Sequence, residues 1–415
     1  MPLWLYILLL GVPGALISGA VHASPLVIFA LAALGIIPLA GLIGEATESL
    51  AERVGPMVGG LLNATFGNAA EFIIGVSALA AGLPDVVRAA IAGAIIGNTL
   101  FTLGSAMLAG GWRYGLQRFQ PRSAGQYAVM LALAVVGLAI PSLLATFGAG
   151  AASGRSTVHG LALDEMSVVV AVLLLASYAG YLAFSVFGVH AQRRGPGGAG
   201  TARRANVDQL DQVDQVDAPD EPDVDDSAQG EQGRRGEQTR PEAGAPAERE
   251  RGLAGVIRGL RKRGPLFDVV TLVVATALVA VASESLTGAI EPLAKDLRLS
   301  SFFVGLIILP LIGSAAEYVT AMRAALSDHM EATLAVTAGS SIQIALLIAP
   351  LLILVSPLVG ATLDLDFTQL ELAVFGLATV LFALISIDGE STWLEGLQLC
   401  VFYLIVAVGV FFVVG

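Results

Sequence analysis

The chain is short of charge. Asp, Glu, Lys and Arg make up 13% of its 415 residues, where an ordinary soluble domain carries about 25%. It has one cysteine, Cys400, which excludes an intrachain disulfide and a thiolate metal centre. All four histidines (His22, His159, His190 and His329) fall at expected helix ends or loops. The apolar segments hold no His-Glu zinc motif, Ser/Lys dyad or paired Asp motif, so intramembrane hydrolysis has no candidate machinery. The net charge of −12 argues against nucleic acid as a partner. What fills the chain instead is apolar: 55% hydrophobic residues and a mean hydropathy of +0.78. This is the composition of an all-α polytopic membrane protein, and 48 glycines suit close helix packing in lipid.

A spanning helix needs about 20 mostly apolar residues. Eleven stretches meet that need, at 3–21, 25–43, 58–81, 86–110, 125–147, 167–188, 267–289, 300–324, 330–356, 369–387 and 393–414. The first lacks a basic leader and reads as a retained helix rather than a signal peptide. Residues 44–57 are amphipathic and extend the second helix into the interface. Residues 191–265 are rich in Gly, Pro, Gln, Asp and Arg and cannot bury a core. Within this linker, 205–231 holds ten acidic residues and no Lys or Arg, with an aspartate at every third position from Asp208 to Asp223. A solvated tether accounts for that pattern; a cation collector near the site is the functional alternative, although the spacing is not that of an EF-hand. Arg193, Arg194, Arg258, Arg261, Lys262 and Arg263 flank the linker. By the positive-inside rule the linker and the N-terminus lie in the cytoplasm. The composition suits a bacterial inner membrane.

The chain states one pattern twice. Gly67-Asn68-Ala69-Ala70-Glu71 and Gly313-Ser314-Ala315-Ala316-Glu317 each place a glutamate inside an apolar run. A carboxylate at that depth costs roughly 2.5–3.5 kcal/mol on insertion scales and marks a functional site. Twenty-two residues after each glutamate stands a glycine, Gly93 and Gly339, in Ala92-Gly93-Ala94-Ile95-Ile96 and Ala338-Gly339-Ser340-Ser341-Ile342. Helices 2–6 thus form one repeat and helices 7–11 the other. Five spans per repeat is odd, so the two are inverted, as in alternating-access transporters. The domains follow: 1–24 a first helix, 25–190 the first repeat, 191–265 the linker, 266–415 the second repeat.

Gly67, and Gly313 with Pro310, are expected to break the two helices and turn carbonyls toward a shared cavity. Carbonyls and carboxylates are hard oxygen ligands, suited to Ca2+ or Na+. Two glutamates supply at most four oxygens, and Ca2+ takes six to eight. The candidates for the rest are Asn98 in helix 4, with Thr99 weaker, Ser340, Ser341 and Gln343 in helix 9, and Thr65, Asn68 and Ser314 beside the breaks. Each has a plainer reading. Asn98 and Gln343 can serve as interhelical glue, and Ser340 and Ser341 can bond back to their own helix. Glu48 and Glu284, also repeated, read as interfacial.

These motifs resemble the cation/proton exchanger branch of the Ca2+/cation antiporter superfamily. Asn63-Ala64-Thr65-Phe66-Gly67-Asn68-Ala69-Ala70-Glu71 is close to that family's first repeat motif. Gly313 to Tyr318 with Gly339-Ser340-Ser341-Ile342-Gln343 is close to its second, and Asp388-Gly389-Glu390-Ser391-Thr392-Trp393-Leu394-Glu395-Gly396 to its C-terminal segment. The resemblance implies a secondary antiporter, not an enzyme. It would exchange Ca2+ for H+ with no cofactor, Glu71 and Glu317 binding the ion and protons alternately and Asn98 and Gln343 assisting. The chain departs from the family at Ser314, where Asn is usual, and at Tyr318, where His is usual. Ala94 and Gly97 stand in place of common serines. Ala70 and Ala316, where sodium/calcium exchangers carry proline, favour the proton-coupled branch. Na+ or K+ exchange for H+ at the same site, and a cation channel, are the other readings this pattern admits.

Overall fold

The computed structural model describes residues 7–151, 161–183 and 264–414. The expected acidic linker and the basic residues flanking it lie outside these. Contacts divide the chain into a large unit, 1–193 with 268–415, and a second, 194–267, of which only the start of one helix is described. In that start the Phe267 amide donates to the Gly264 carbonyl at 2.9 Å.

The described residues are helical almost throughout. The first half holds α1 (Gly11–Ala20), which precedes the first repeat, then α2 (Pro25–Val54), α3 (Pro56–Phe66) and α4 (Ala69–Ala80). It continues with α5 (Pro84–Ile96), a π segment (Gly97–Thr102), α6 (Leu103–Tyr114), α7 (Pro121–Ala151) and α8 (Leu161–Ala183). The second opens with α9 (Pro265–Gly288), α10 (Ile290–Leu297) and α11 (Ser301–Phe303), then a π segment (Val304–Ile308), α12 (Leu309–Gly313) and α13 (Ala315–Leu326). It closes with α14 (Met330–Gln343), a third π segment (Ile344–Ile348), α15 (Ala349–Val355), α16 (Gln369–Ile385) and α17 (Trp393–Val414). Five of these helices begin on a proline, at Pro25, Pro56, Pro84, Pro121 and Pro265, where a missing N–H costs nothing.

Among the described residues, seven helices are long and apolar enough to cross a bilayer, and the pair Ser301–Gly313 and Ala315–Leu326, bent by 58°, makes an eighth if it is one span. Among the described residues, α1, α4 and α16 are shorter apolar helices; α4 is short because the expected span 58–81 is interrupted, as its glycine foretold. The span expected at 300–324 is likewise split, but at Ser314. Pro310 does not make that break: it sits in the first turn of α12, behind a π segment. A π turn reroutes the backbone bonds around the proline's missing donor, so the helix passes it without ending.

Contacts between loops fix the direction of each helix. Asp268, at the start of α9, accepts from Ser49 Oγ at 2.8 Å and pairs with Arg53 at 3.1 Å. The end of α2 therefore lies beside the chain's return from the linker, at what is here termed the linker end. At that same end Tyr114 Oη donates to the Leu326 carbonyl at 2.8 Å and Gln117 Nε2 to the Ala325 carbonyl at 2.9 Å. There too β1 (Gln117–Arg118) pairs antiparallel with β2 (Glu390–Ser391). Asp388 and Gly389, from the motif near the C-terminus, form the turn before β2: Gly389 has φ +75°, which favours glycine, and Asp388 Oδ1 accepts from the Glu390 amide at 3.1 Å. At the far end Arg88 pairs with Asp85 and with Asp364, and Ser142 Oγ donates to the Leu365 carbonyl at 2.6 Å. Helix α4 runs toward the far end, where Asp85 follows it. Helix α13 runs toward the linker end, where Leu326 closes it. The two helices that carry the repeated glutamates are antiparallel, as the odd number of spans per repeat requires.

Candidate cation site

The two interrupted helices meet at their breaks. Asn68, between α3 and α4, and Ser314, between α12 and α13, are both buried. Each stands before a first turn that carries a glutamate, Glu71 in α4 and Glu317 in α13. A helix N-terminus is the positive end of the peptide dipoles, so it stabilises a carboxylate held there.

The side chains cross from one repeat to the other. Ser314 Oγ donates to Glu71 Oε1 at 3.2 Å. Glu71 also lies over Gly313, where a Cβ would come within 3.0 Å of its Cγ. In the reverse direction Asn68 Nδ2 donates to Gln343 Oε1, and a Cβ on Gly67 would lie 3.5 Å from that same oxygen. Each break is therefore filled by a polar side chain of the opposite repeat, and the glycines leave the room for it.

A chain of hydrogen bonds links these groups to helix 4. Ser340 Oγ donates to Asn68 Oδ1 at 2.9 Å and accepts from Asn98 Nδ2 at 3.1 Å. Asn98 stands in the first π segment, and Gln343 directly precedes the third. The π turns are the feature that sequence reasoning missed. A wider turn sets a polar side chain out of the regular helical register, and such turns recur at functional sites. Two of the expected ligands do not join. The Thr65 hydroxyl donates back to the Leu61 carbonyl at 2.8 Å and is exposed, and the buried Ser341 hydroxyl donates to the Thr337 carbonyl at 2.9 Å. Thr99 also bonds back, to the Ile95 carbonyl at 2.7 Å. Glu48 and Glu284 are exposed.

Two oxygens in this cluster are buried with no donor: Glu317 Oε2 and Asn98 Oδ1. A buried acceptor without a partner is costly, and a bound cation is one partner such an oxygen can take. The donor set is all oxygen, which suits a hard cation. Among the described residues no three His, Cys, Asp or Glu side chains converge on one point. The set is therefore two carboxylates with amides and a hydroxyl, as befits an ion that must also leave. Glu71 borders a narrow cavity of about 40 Å3 that is otherwise apolar, lined by Ala78, Ala90, Ala94, Pro310 and Leu352 among others. That cavity lies on the far-end side of the glutamate.

Beside the site, Tyr318 stacks on Phe101 with ring centroids 5.6 Å apart and planes 15° apart, and Tyr403 of α17 packs on the other partner of the pair at 5.2 Å. Phe101 belongs to the π segment that carries Asn98. The tyrosine that departs from the family's histidine thus braces the segment holding one ligand against the helix holding another.

The sequence pattern of the family described as "Sodium/calcium exchanger protein" matches residues 24–187 and 267–412. The chain is 36% identical over 385 residues to a protein of Synechocystis sp. named Ca(2+)/H(+) antiporter, covering 93% of this chain and 91% of that one. It is 30% identical over 402 residues to Ca(2+)/H(+) antiporter ChaA of Bacillus subtilis, covering 97% and 96%. Among solved structures, native YfkE superposes with a TM-score of 0.72 at 27% identity and 99% coverage of both chains. The H+/Ca2+ exchanger CAX superposes at 0.62 with 15% identity over 98% of this chain and 91% of that one, a likeness of fold alone.

Proposed function

The chain belongs to the sodium/calcium exchanger protein family, and from that premise we propose that it exchanges Ca2+ for H+ across a membrane at the site formed by Glu71 and Glu317. It is an integral membrane protein and an ion exchanger. The observation that carries the site is the meeting of the two broken helices: Glu71 reaches Ser314 at the break of the second, Gln343 reaches Asn68 at the break of the first, and Glu317 stands in the first turn matching that of Glu71. The relatives' names support the ion pair, and the unpartnered Glu317 Oε2 and Asn98 Oδ1 support a cation between them.

The chemistry follows from the cost of burying charge. Two carboxylates held together in a protein interior are tolerated when a cation lies between them or when protons neutralise them. With both ionised, Glu71 and Glu317 hold Ca2+ by charge-assisted coordination, with Asn98 Oδ1 and the Ser340–Asn68–Gln343 chain orienting the shell. Protons compete for the same oxygens, and Ca2+ affinity falls as pH falls. The pair titrates in coupled steps belonging to both residues. The empty, doubly charged site is the state too costly to reorient, which couples the two fluxes and prevents leak. The linker and N-terminus lie on the cytoplasmic face of a bacterial inner membrane, in keeping with the basic residues that flank the linker.

Purified protein in liposomes tests this reading. An imposed pH gradient is expected to drive Ca2+ uptake, and the uptake is expected to collapse when the gradient is dissipated. Gradient-driven Na+ or K+ flux with no Ca2+ flux would reassign the ion. Net current without a proton gradient would make the protein a channel.

The ring stack gives a finer expectation. Tyr318→Phe keeps the stack on Phe101 and is expected to leave the apparent Ca2+ KM unchanged. Tyr318→Ala removes a ring pair that is worth about 0.5–1.5 kcal/mol, and should raise KM by roughly 2- to 10-fold. Equal KM values for the two variants, read from Ca2+ uptake, would show that the ring does not position Asn98.

A further inference from the structure

We propose that Gly93 and Gly339, the glycines standing at matched places in the two repeats, decide which end of the site is open. This rests on the alternating-access reading above and names the contact that alternates. If the repeats were packed alike, the two glycines would have like surroundings. They do not. Gly93 is pressed against the first half of the second broken helix: a Cβ there would overlap the Leu306 carbonyl oxygen and approach Pro310 Cγ to 2.7 Å. Gly305 answers from the other side, where a Cβ would lie 2.8 Å from the Val86 carbonyl oxygen. Helix α5 and the π segment before α12 therefore touch backbone to backbone, and Arg88 ties the same end of α5 to Asp364. At the far end, α5 is thus closed onto this segment of the second repeat.

The matched contact in the other repeat would join α14 to α3, and it is not made. Among the described residues, no atom beyond its own helix backbone lies within 4 Å of the place a Cβ on Gly339 would take. Gly339 is half-buried, four residues before Gln343 and so on the same helix face, the face that leads to the site. Helix α3 leans on α2 instead: Gly59, which corresponds to Gly305, is pressed against the Ala51 carbonyl of α2. Just past the end of α3, Gly67 meets Gln343 of α14. Among the described residues, Gly339 therefore faces open space on the linker-end side of Gln343. Because the repeats match in sequence and run in opposite directions, the alternative state follows by exchanging their roles. Helix α3 closes on Gly339, and α5 parts from the Leu306 segment at Gly93. Each closure needs a glycine, since only a surface without a Cβ lets the backbones meet.

Side chains added at the two positions should therefore act in opposite senses. Every variant is made in a Cys400→Ser background, in sealed membrane vesicles of each orientation, with a membrane-impermeant maleimide as the probe. In the parent background, Thr320→Cys, at an exposed position of α13 on its run toward the linker end, should label from the linker side. Adding Gly93→Ala forbids the far-end closure; it should lower that labelling by about tenfold or more, as a population shift requires, and raise far-side labelling of Ala78→Cys. Gly339→Leu forbids the linker-end closure. It should abolish transport and far-side labelling of Ala78→Cys while linker-side labelling of Thr320→Cys persists. Opposite shifts in sidedness support the proposal. Unchanged sidedness, or the same shift in both variants, overturns it. Should Gly93→Ala fail to yield a monodisperse protein, the Gly339→Leu arm decides alone, and far-side labelling of Ala78→Cys that survives there overturns the proposal. The labelling does not depend on which ion is carried. Absence of Ca2+ flux in the wild type would sink the antiport reading and leave this test standing.

Discussion

Glu71→Gln and Glu317→Gln are each expected to abolish pH-gradient-driven Ca2+ uptake while leaving a folded protein. The amide keeps the shape and one oxygen: in Glu71→Gln, Oε1 still accepts from Ser314 Oγ. It loses the charge that balances Ca2+ and the proton that is exchanged. Removing one partner of a buried ionic pair costs about 3–5 kcal/mol, so Ca2+ affinity should fall by at least about 100-fold. Thermal unfolding separates this from misfolding. The wild type should gain stability with added Ca2+, because the ion binds only the folded state. The Gln variants should keep or exceed the wild-type Tm without Ca2+, since a buried carboxylate has been removed, and should gain nothing when Ca2+ is added. The wild type's Ca2+-dependent gain should shrink as pH is lowered, because protons occupy the same oxygens. Full coupled transport in either Gln variant would place the site elsewhere.

Much of this site was legible in the chain, for a physical reason. A glutamate in an apolar run is costly, and the same glutamate at the same distance from a glycine in both halves is costlier still to explain without a function. The polar residues at Asn98, Ser340 and Gln343 stood out on the same ground. Three things were not legible. The first is the pairing: repeats alone do not show that Glu71 bonds Ser314 and Asn68 bonds Gln343, each across the pseudo-symmetry. The second is the π turns. Gly97-Asn98-Thr99 holds no proline, and one extra residue in a turn hardly disturbs an apolar pattern in which most residues are buried. The third is where a hydroxyl points. Thr65 and Ser341 carry suitable oxygens, but each donates to the carbonyl four residues back, a bond any helical Ser or Thr can make. Pro310 misled for a related reason. A proline in a helix signals a lost donor, and the π segment before it absorbs that loss, so the break falls at Ser314.

That contrast between hydroxyls and Asn98 yields the second large effect. Asn98 donates through Nδ2 to Ser340 Oγ at 3.1 Å, while its Oδ1 is buried with no partner. A cation at the proposed site would give that oxygen its partner. Asn98→Ala removes a ligand oxygen and the donor that holds Ser340 toward Asn68. A hydrogen bond or contact to a charged group is worth about 1.5–3 kcal/mol, so the apparent Ca2+ KM should rise by roughly 10- to 100-fold. The maximal rate should change less, because the two carboxylates that carry the protons remain. Ser341→Ala and Thr65→Ala serve as controls and should leave KM near the wild-type value, since those hydroxyls are spent on their own helices. Asn98→Asp sharpens the test. It keeps the oxygen, loses the donor to Ser340 and adds a third carboxylate, so it should bind Ca2+ at higher pH but give it up less readily to protons. A wild-type KM in Asn98→Ala would mean that the amide only joins helices 4 and 9, and that the coordination shell closes through other oxygens.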